Sequence, residues 1–171
     1  MLNRCILIFT EFENIKKIDE LREKYDPAVN NVAPHITLVF PFESNIESSN
    51  IREHIEKNIK GIKPFEVELK GISGESNNYL FLNVIKGNEE LTELHNRLYT
   101  GMLEEFKPEF LRNTKFKPHL TVGKIHDNEE FEKALKSTES FNKVFKTVVK
   151  RITVEIIGKN QESIIESEID I

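Results

Sequence analysis

The sequence predicts an α+β fold made of two similar halves. Strand-like and helix-like segments alternate along the 171 residues, but several strand-like segments are joined by short turns, which favours antiparallel or mixed pairing over a doubly wound parallel sheet. One short phrase occurs twice, as PHITLV at residues 34–39 and PHLTVG at residues 118–123. The copies start 118 − 34 = 84 residues apart, about half of the chain, so each half carries one.

The first half contains three predicted strands and two predicted helices. Apolar runs and two-residue alternation predict strands at residues 3–10, 35–40 and 65–71. Apolar residues spaced three or four apart predict amphipathic helices at residues 13–25 and 47–60. Asp26-Pro27 and Gly61 are expected to end the helices, and Pro41 is expected to end the second strand.

The second half repeats this order and then adds a terminal hairpin. The same patterns predict strands at residues 79–85 and 119–125, and helices at residues 88–106 and 128–135. Two further strands, at residues 145–157 and 163–169, flank the polar turn at residues 158–161. No glycine-rich phosphate loop interrupts this series, which again argues against a nucleotide-binding parallel sheet.

The composition is that of a globular protein, because 38% of the residues are hydrophobic and 31% are charged. The net charge of −5 argues against extensive binding of nucleic acid but allows a small phosphorylated ligand. The single cysteine, Cys5, excludes an intramolecular disulfide and a cysteine-based zinc site, and its apolar surroundings predict a buried thiol. The apolar stretch at the N-terminus is too short for a signal peptide, and no segment is long enough for a membrane span, so we expect a cytoplasmic protein that does not contact membranes. We also expect a monomer.

Each copy of the repeated phrase places a histidine and a threonine on one face of a strand, because side chains alternate between the two faces. The residues expected on this polar face are His35, Thr37 and Val39 in the first copy, and His119, Thr121 and Gly123 in the second. The residues between them are apolar and are expected to pack against a core.

These residue types suit chemistry on a phosphate. Imidazole exchanges a proton near neutral pH, so two histidines can act as a base and an acid in one turnover. Threonine hydroxyls donate hydrogen bonds to phosphoryl oxygens without adding charge. His35, His119, Thr37 and Thr121 around one phosphate would therefore support in-line displacement at phosphorus. The motifs supply no third ligand for a metal ion, and no cofactor is predicted.

The two motifs resemble the double His-x-Thr signature of the 2H phosphoesterase superfamily, which includes 2′-5′ RNA ligase-like proteins and cyclic phosphodiesterases. His35-Ile36-Thr37 and His119-Leu120-Thr121 match it without substitution, within the words PHITLVFPF and KPHLTVGK. The stretches LREKYDPAVNNVAPHITL and ELHNRLYTG are similar to bacterial phosphoesterases of this superfamily in particular.

The resemblance implies a fold and a function. The implied fold is one bilobal domain over residues 1–171, with two pseudo-symmetric lobes around a central cleft, each an antiparallel sheet with helices on its outer face. The implied activity is a metal-independent phosphodiesterase that acts on cyclic phosphate or 2′-5′ linkages of nucleotides or RNA ends. His35 and His119 would supply the acid and the base, in an order that the nearly identical motifs leave open, and Thr37 and Thr121 would bind the phosphate.

Three further residues are candidates for substrate binding. Lys117 has the same parity as His119 and is expected at the mouth of the cleft, where its charge would attract a phosphate. Phe81 and Phe42 are candidates to stack on a base, although both also suit an apolar core. The other histidines have no partner at metal-ligand spacing and are interpreted as structural or solvent-facing: His54, His95 and His126.

Two alternatives to a hydrolase stay open. The first is a module that binds a nucleotide or an RNA terminus in the same cleft without turnover. The second is a 2′-5′ RNA ligase, which would run the same chemistry in reverse. Formation of a monophosphate from a cyclic nucleotide would separate hydrolysis from binding alone.

Overall fold

The computed structural model describes residues 1–171 and consists of eight strands with helices between them. The strands are β1 (Leu2–Phe9), β2 (His35–Ser44), β3 (Phe65–Glu75), β4 (Tyr79–Lys86), β5 (His119–Lys124), β6 (Val144–Val149), β7 (Arg151–Ile157) and β8 (Ser163–Asp170). The α-helices are α1 (Lys16–Tyr25), α2 (Ser48–Asn58), α3 (Asn88–Leu98), α4 (Glu109–Arg112) and α5 (Asn128–Thr138). Short 3-10 helices occupy Ser76–Asn78 and Gly101–Phe106. None of the helices has the length and apolar character that crossing a bilayer requires.

All eight strands form one antiparallel sheet in the order β6-β3-β4-β5-β2-β1-β7-β8. Its two halves, β6-β3-β4-β5 and β2-β1-β7-β8, meet between the motif strands β5 and β2 through a single residue pair, Ile36–Leu120. Lys150 alone links β6 at one edge to β7 in the other half, so the sheet has to curl until these strands approach each other. The α+β class, with antiparallel halves and helices, is confirmed.

One face of the sheet is covered by a core that is common to both halves. A single cluster of 31 buried residues includes Ile36 and Leu38 of β2 together with Leu120 and Val122 of β5, so the two halves share one apolar interior. The helices contribute fully buried side chains to the same cluster, among them Ile18, Ile51, Ile55, Leu91, Leu94 and Leu98. The spacing of apolar residues in the sequence therefore identified correctly which face of each of these helices is buried.

The motif strands contain matching β-bulges, which correct two predicted side-chain directions. In β2, Thr37 pairs with Leu7 whereas Val39 pairs with the next residue of β1, Ile6, so the register shifts between them. The same shift occurs in β5, where Thr121 pairs with Phe81 and Gly123 pairs with Leu80. Ile6 and Leu80 belong to the core, and paired residues share a face of the sheet. The prediction that Val39 and Gly123 lie on the polar face is therefore wrong, and that face ends at the threonines.

Pro41 does not end β2, which continues to Ser44. On the side facing β5, β2 is paired only at Ile36, so a missing N–H at Pro41 costs no ladder hydrogen bond there. The presence of Pro41 led to the prediction of a strand end, because the sequence does not show that one side of this strand is largely unpaired.

Two other predicted elements are divided in the structure. The helix expected over residues 88–106 ends at Leu98, because Thr100 is extended and Gly101 takes a left-handed φ of 52° before the 3-10 helix begins. The strand expected over residues 145–157 is interrupted at Lys150, because its two parts pair with different partners, β3 and β1. The terminal hairpin itself is formed by β7 and β8, as predicted.

Candidate active site

The two His-x-Thr motifs meet where the halves of the sheet join. Ile36 pairs with Leu120, and both side chains are fully buried in the core. Extending this antiparallel register by one residue in each direction sets His35 opposite Thr121 and Thr37 opposite His119. Because side chains alternate, all four of these side chains lie on the face away from the helices, and each is half-buried. Directly opposed side chains on one face have Cβ atoms about 5 Å apart, which is close enough for a shared phosphate.

Both imidazoles are held in the same way. The Nδ1 atom of His35 donates to the carbonyl oxygen of Ala33 at 2.9 Å, and that of His119 donates to the carbonyl oxygen of Lys117 at 2.7 Å. In each motif the proline between the two residues separates the histidine from its acceptor. A carbonyl oxygen accepts only, so Nδ1 carries the proton and Nε2 is the nitrogen left for other partners. A neutral ring of this tautomer is a base at Nε2, and a protonated one is an acid there.

Burial lowers the pKa of both histidines, because it disfavours the charged ring. For His119 the result is a pKa of about 4, and the positive charge of Lys117 adds to the lowering while the Lys117 carbonyl and the carboxylate of Glu75 oppose it. For His35, the Ala33 carbonyl and the carboxylate of Glu155 oppose the effect of burial. The charge of His35 also lowers the pKa of His119, so the two rings lie close enough to interact electrostatically.

The threonines have different surroundings. Neither the Thr121 nor the Thr37 hydroxyl donates a hydrogen bond within the protein, but the Thr37 side chain lies beside the Cys5 thiol, which donates to the carbonyl oxygen of Val39. Cys5 is 4% exposed, as predicted, and burial raises the pKa of its thiol. This cysteine therefore belongs to the floor beneath the site and is not a reactive thiol.

Phe81 and Lys117 both lie beside His119. The Phe81 ring is stacked on the imidazole, with ring centroids 3.5 Å apart and planes 14° apart, and it is half-buried on the same face as Thr121. Lys117 is exposed and donates from Nζ to the carboxylate of Glu75. Both of these candidate substrate-binding residues therefore adjoin the four-residue cluster formed by His35, Thr37, His119 and Thr121.

The structure does not bring Phe42, the third such candidate, to this face. Its side chain is 5% exposed in the core and packs against Phe106, with ring centroids 5.1 Å apart.

The three remaining histidines match their interpretation as structural or solvent-facing. His54 and His95 are buried and hydrogen-bonded to the carbonyl oxygens of Leu98 and Leu38, and His126 is exposed.

Sequence reasoning did not find two carboxylates near the histidines. Glu155 on β7 is only 5% exposed, pairs with Cys5 across the β1–β7 ladder and accepts a hydrogen bond from Ser163. Glu75 at the end of β3 holds Lys117. Both look like solvent-facing glutamates in alternating strands, and only the strand order places them near the site. No group of three or more His, Cys, Asp or Glu side chains is arranged to hold a metal ion.

The comparison with protein families agrees with this geometry. The family model of the 2′-5′ RNA ligase superfamily matches residues 10–160. The chain belongs to this superfamily. The matched range contains both motif strands and every residue of the four-residue cluster.

Individual relatives of this superfamily support the same placement. A Bacillus licheniformis protein named "putative phosphoesterase" is 35% identical over 122 residues, which are 67% of this chain and 69% of that protein. The solved structure of TT0787 of Thermus thermophilus has a TM-score of 0.69 at 16% identity, over 99% of this chain and 97% of that one. Escherichia coli LigT complexed with 3′-AMP has a TM-score of 0.61 at 14% identity, over 99% and 98%. At these identities the two structures establish a shared fold, and the phosphoesterases of the superfamily are relatives by sequence.

Proposed function

We propose that the chain is a phosphodiesterase that opens cyclic phosphates or cleaves 2′-5′ linkages of nucleotides or RNA ends by acid–base catalysis with His35 and His119. The observation that carries this proposal is the shared geometry of the two rings. Each has Nδ1 bound to a backbone carbonyl, and they lie on neighbouring strands around the Ile36–Leu120 pair. That arrangement leaves two Nε2 atoms for the two oxygens of one in-line displacement.

In the proposed reaction on a cyclic phosphate, the Nε2 atom of one neutral histidine takes a proton from water. The water oxygen forms a bond to phosphorus while the bond to one ring oxygen of the substrate breaks. The second histidine, protonated at Nε2, gives its proton to that leaving oxygen, so the product is a phosphate monoester with a free hydroxyl. Proton exchange with solvent restores both rings. The hydroxyls of Thr37 and Thr121 bind the non-bridging oxygens, and no step is assigned to a metal ion.

The resting enzyme needs one protonated ring, although burial lowers the pKa of both histidines. An anionic substrate supplies the missing counter-charge, because a phosphodiester anion beside an imidazole favours its protonated form. Substrate binding and the charging of one histidine are therefore coupled in this proposal.

A nucleotide or an RNA end is the substrate class that fits best. Phe81 adjoins the phosphate site and offers an aromatic ring, and the net charge of −5 disfavours a long RNA partner. LigT, which shares the fold, has been solved with 3′-AMP. We extend binding of a nucleotide phosphate to the cleft of this chain on these grounds.

The test is product formation from a panel of substrates in the presence of EDTA. The panel contains 2′,3′-cyclic nucleotides, 2′-5′ dinucleotides, oligonucleotides with 2′,3′-cyclic ends and nucleotide-sugar cyclic phosphates, and monoester products are followed by phosphorus NMR. We expect conversion of at least one class, with EDTA making no difference. Binding of these ligands by calorimetry without any conversion would contradict the proposal and favour a binding module. Joining of RNA ends without hydrolysis would favour a ligase.

A further inference from the structure

The ladder between β2 and β5 is too short to fix the distance between the two histidines. These strands share only the Ile36–Leu120 pair. Every other pair in the sheet joins neighbouring strands over four or more residue pairs. A reaction that needs two side chains on opposite sides of one phosphorus depends on their separation to within about 1 Å. Some other contact must therefore hold the two motif strands in place.

Each half of the chain sends a helix across to the motif strand of the other half. Helix α1, which follows β1, packs along β5, and helix α3, which follows β4, packs along β2. On β5 the approach is close: a Cβ at Gly123 would lie 2.9 Å from the Cβ of Tyr25, so a larger residue has no room there. The two helices thus cover parts of the motif strands that lie beyond the single Ile36–Leu120 pair.

On β2, the side chains of His95 in α3 and of Tyr99, which directly follows α3, bind the main chain directly. The Nδ1 atom of His95 donates to the carbonyl oxygen of Leu38 at 2.7 Å. One turn later, the Tyr99 hydroxyl accepts a hydrogen bond from the N–H of Phe40 at 2.8 Å. Leu38 directly follows Thr37, and β5 pairs with neither Leu38 nor Phe40. These helix side chains therefore take the place of a strand partner just beyond the first motif.

The same His95 ring also contacts the segment that leads into the second motif. It is stacked on Phe116, with ring centroids 3.8 Å apart and planes 4° apart. Phe116 precedes Lys117, whose carbonyl oxygen holds the Nδ1 atom of His119. His95 is 1% exposed and lies on the core side of the sheet, so it cannot reach a substrate.

We propose that His95, assisted by Tyr99, is a positioning residue that sets the separation between the Nε2 atoms of His35 and His119. This inference rests on the proposed function. The ring joins the strand that carries His35 and Thr37 to the segment that carries His119. Burial also lowers the pKa of His95 to about 4, so the ring stays neutral and its Nδ1 donor is kept throughout the neutral range.

Three variants separate the two contacts of this ring. His95→Asn keeps a side-chain N–H near the position of Nδ1 but loses the stacked ring. His95→Phe keeps a ring against Phe116 but loses the hydrogen bond to Leu38. Tyr99→Phe removes one hydroxyl and leaves the packing almost unchanged, which makes it the variant least at risk of failing to fold.

His54 provides the matched control. It is also a buried helix histidine, 8% exposed, and is hydrogen-bonded to a backbone carbonyl, that of Leu98 at 3.0 Å, but its hydrogen bonds go to Leu98 and Asn58 and not to a motif strand. His54→Phe therefore removes a comparable buried hydrogen bond that does not involve a motif strand, and His54→Asn removes both that bond and the ring. We compare kcat, KM and the melting temperature of all five variants on the substrate found in the panel.

We expect His95→Phe and Tyr99→Phe to lower kcat by about 10- to 100-fold and to raise KM by a smaller factor, because misplacing one of the two groups around the phosphate weakens the transition state most and the bound ground state less. His95→Asn should recover part of that loss. The His54 variants should lose a similar amount of thermal stability and keep the kcat of the wild type. Wild-type kcat in folded Tyr99→Phe and His95→Phe, or a loss of kcat that follows melting temperature equally in both series, would overturn the proposal.

A second readout keeps this proposal separate from the proposed function. The affinity for inorganic phosphate, measured from the imidazole signals of His35 and His119 by NMR, needs no turnover. If the wild type converts no substrate, the proposed function fails, and positioning is judged from phosphate binding alone. Weaker phosphate binding in Tyr99→Phe than in His54→Phe would then support positioning, and equal binding would overturn it.

Discussion

The two halves of the sheet present their histidines identically but surround them differently. In both halves a proline precedes the histidine, Nδ1 is bound to the carbonyl two residues earlier, and a bulge follows the threonine. Around His119, Phe81 is stacked on the ring and the Lys117–Glu75 ion pair lies alongside. Around His35, Phe9 lies edge-on with ring centroids 6.3 Å apart, and the carboxylates of Glu155 and Asp26 raise the pKa of the ring.

The repeat preserves some features of the histidine sites and leaves others to each half. The preserved features orient Nε2 away from the core, and both histidines of an acid–base pair need this orientation. The differing features set the charge and the exposure of each ring. A duplicated motif can thus provide two equivalent side chains that take unequal roles in one reaction.

The largest expected effect comes from removing either ring. His35→Ala and His119→Ala should each lower turnover by at least about 100-fold, because each deletes one proton transfer. The double variant should lose little more than the worse single variant, since both groups act in the same step. Turnover is compared with His126→Ala, which removes an exposed histidine. Near-wild-type turnover in either single variant would show that the two halves do not share the chemistry.

The threonines test whether both halves bind the phosphate. Thr37→Val and Thr121→Val each remove a hydroxyl that donates to a charged oxygen, a bond worth about 1.5–3 kcal/mol, so kcat/KM should fall by about 10- to 100-fold. Melting temperatures serve as the control for packing. If one variant is as active as the wild type, only the other half contributes a phosphate donor.

The nearby carboxylates can assign the acid and the base. The charge of Glu155 raises the pKa of His35, and that of Glu75 raises the pKa of His119, so Glu155→Gln and Glu75→Gln should each lower the pKa of one ring. The limb of the pH–rate profile that belongs to that histidine then moves to lower pH, by about one unit or less. If the acidic limb moves, the histidine concerned is the base, and if the alkaline limb moves, it is the acid.

The two substitutions should therefore move opposite limbs. Glu132→Gln, at an exposed position on α5, is the control and should move neither. Movement of the same limb by both Glu155→Gln and Glu75→Gln would contradict the division of roles between the halves.

The smallest expected effect concerns the aromatic neighbours. Burial is the largest cause of the low pKa of His119, and Phe81 covers one face of that ring. Phe81→Leu should therefore raise the pKa of His119 toward the ordinary value, whereas Phe9→Leu should change that of His35 less, because Phe9 touches only an edge. Titration of the imidazole signals by NMR measures both. An equal change in the pKa of both histidines would contradict the different effects expected of Phe81 and Phe9.

The four residues of the site could be predicted from the sequence because a repeated word is visible without any knowledge of pairing. Most strands and helices could be predicted for a related reason, since periodicity reports which face is buried. The bulges that turn Val39 and Gly123 into the core, and the break at Lys150, depend on which strands become neighbours. His95 was correctly interpreted as structural, but its contacts with Leu38 and Phe116 join residues far apart in the chain. No local pattern encodes such contacts.

The most direct test of the central claim is a phosphate titration of the wild-type protein labelled with nitrogen-15 in its histidines. We expect the Nε2 signals of His35 and His119 to shift together, with one dissociation constant and one phosphate bound per chain. The chemical shifts of their Nδ1 atoms should remain those of a protonated nitrogen. A response of only one ring, or two responses with different dissociation constants, would contradict a single phosphate site shared by both halves.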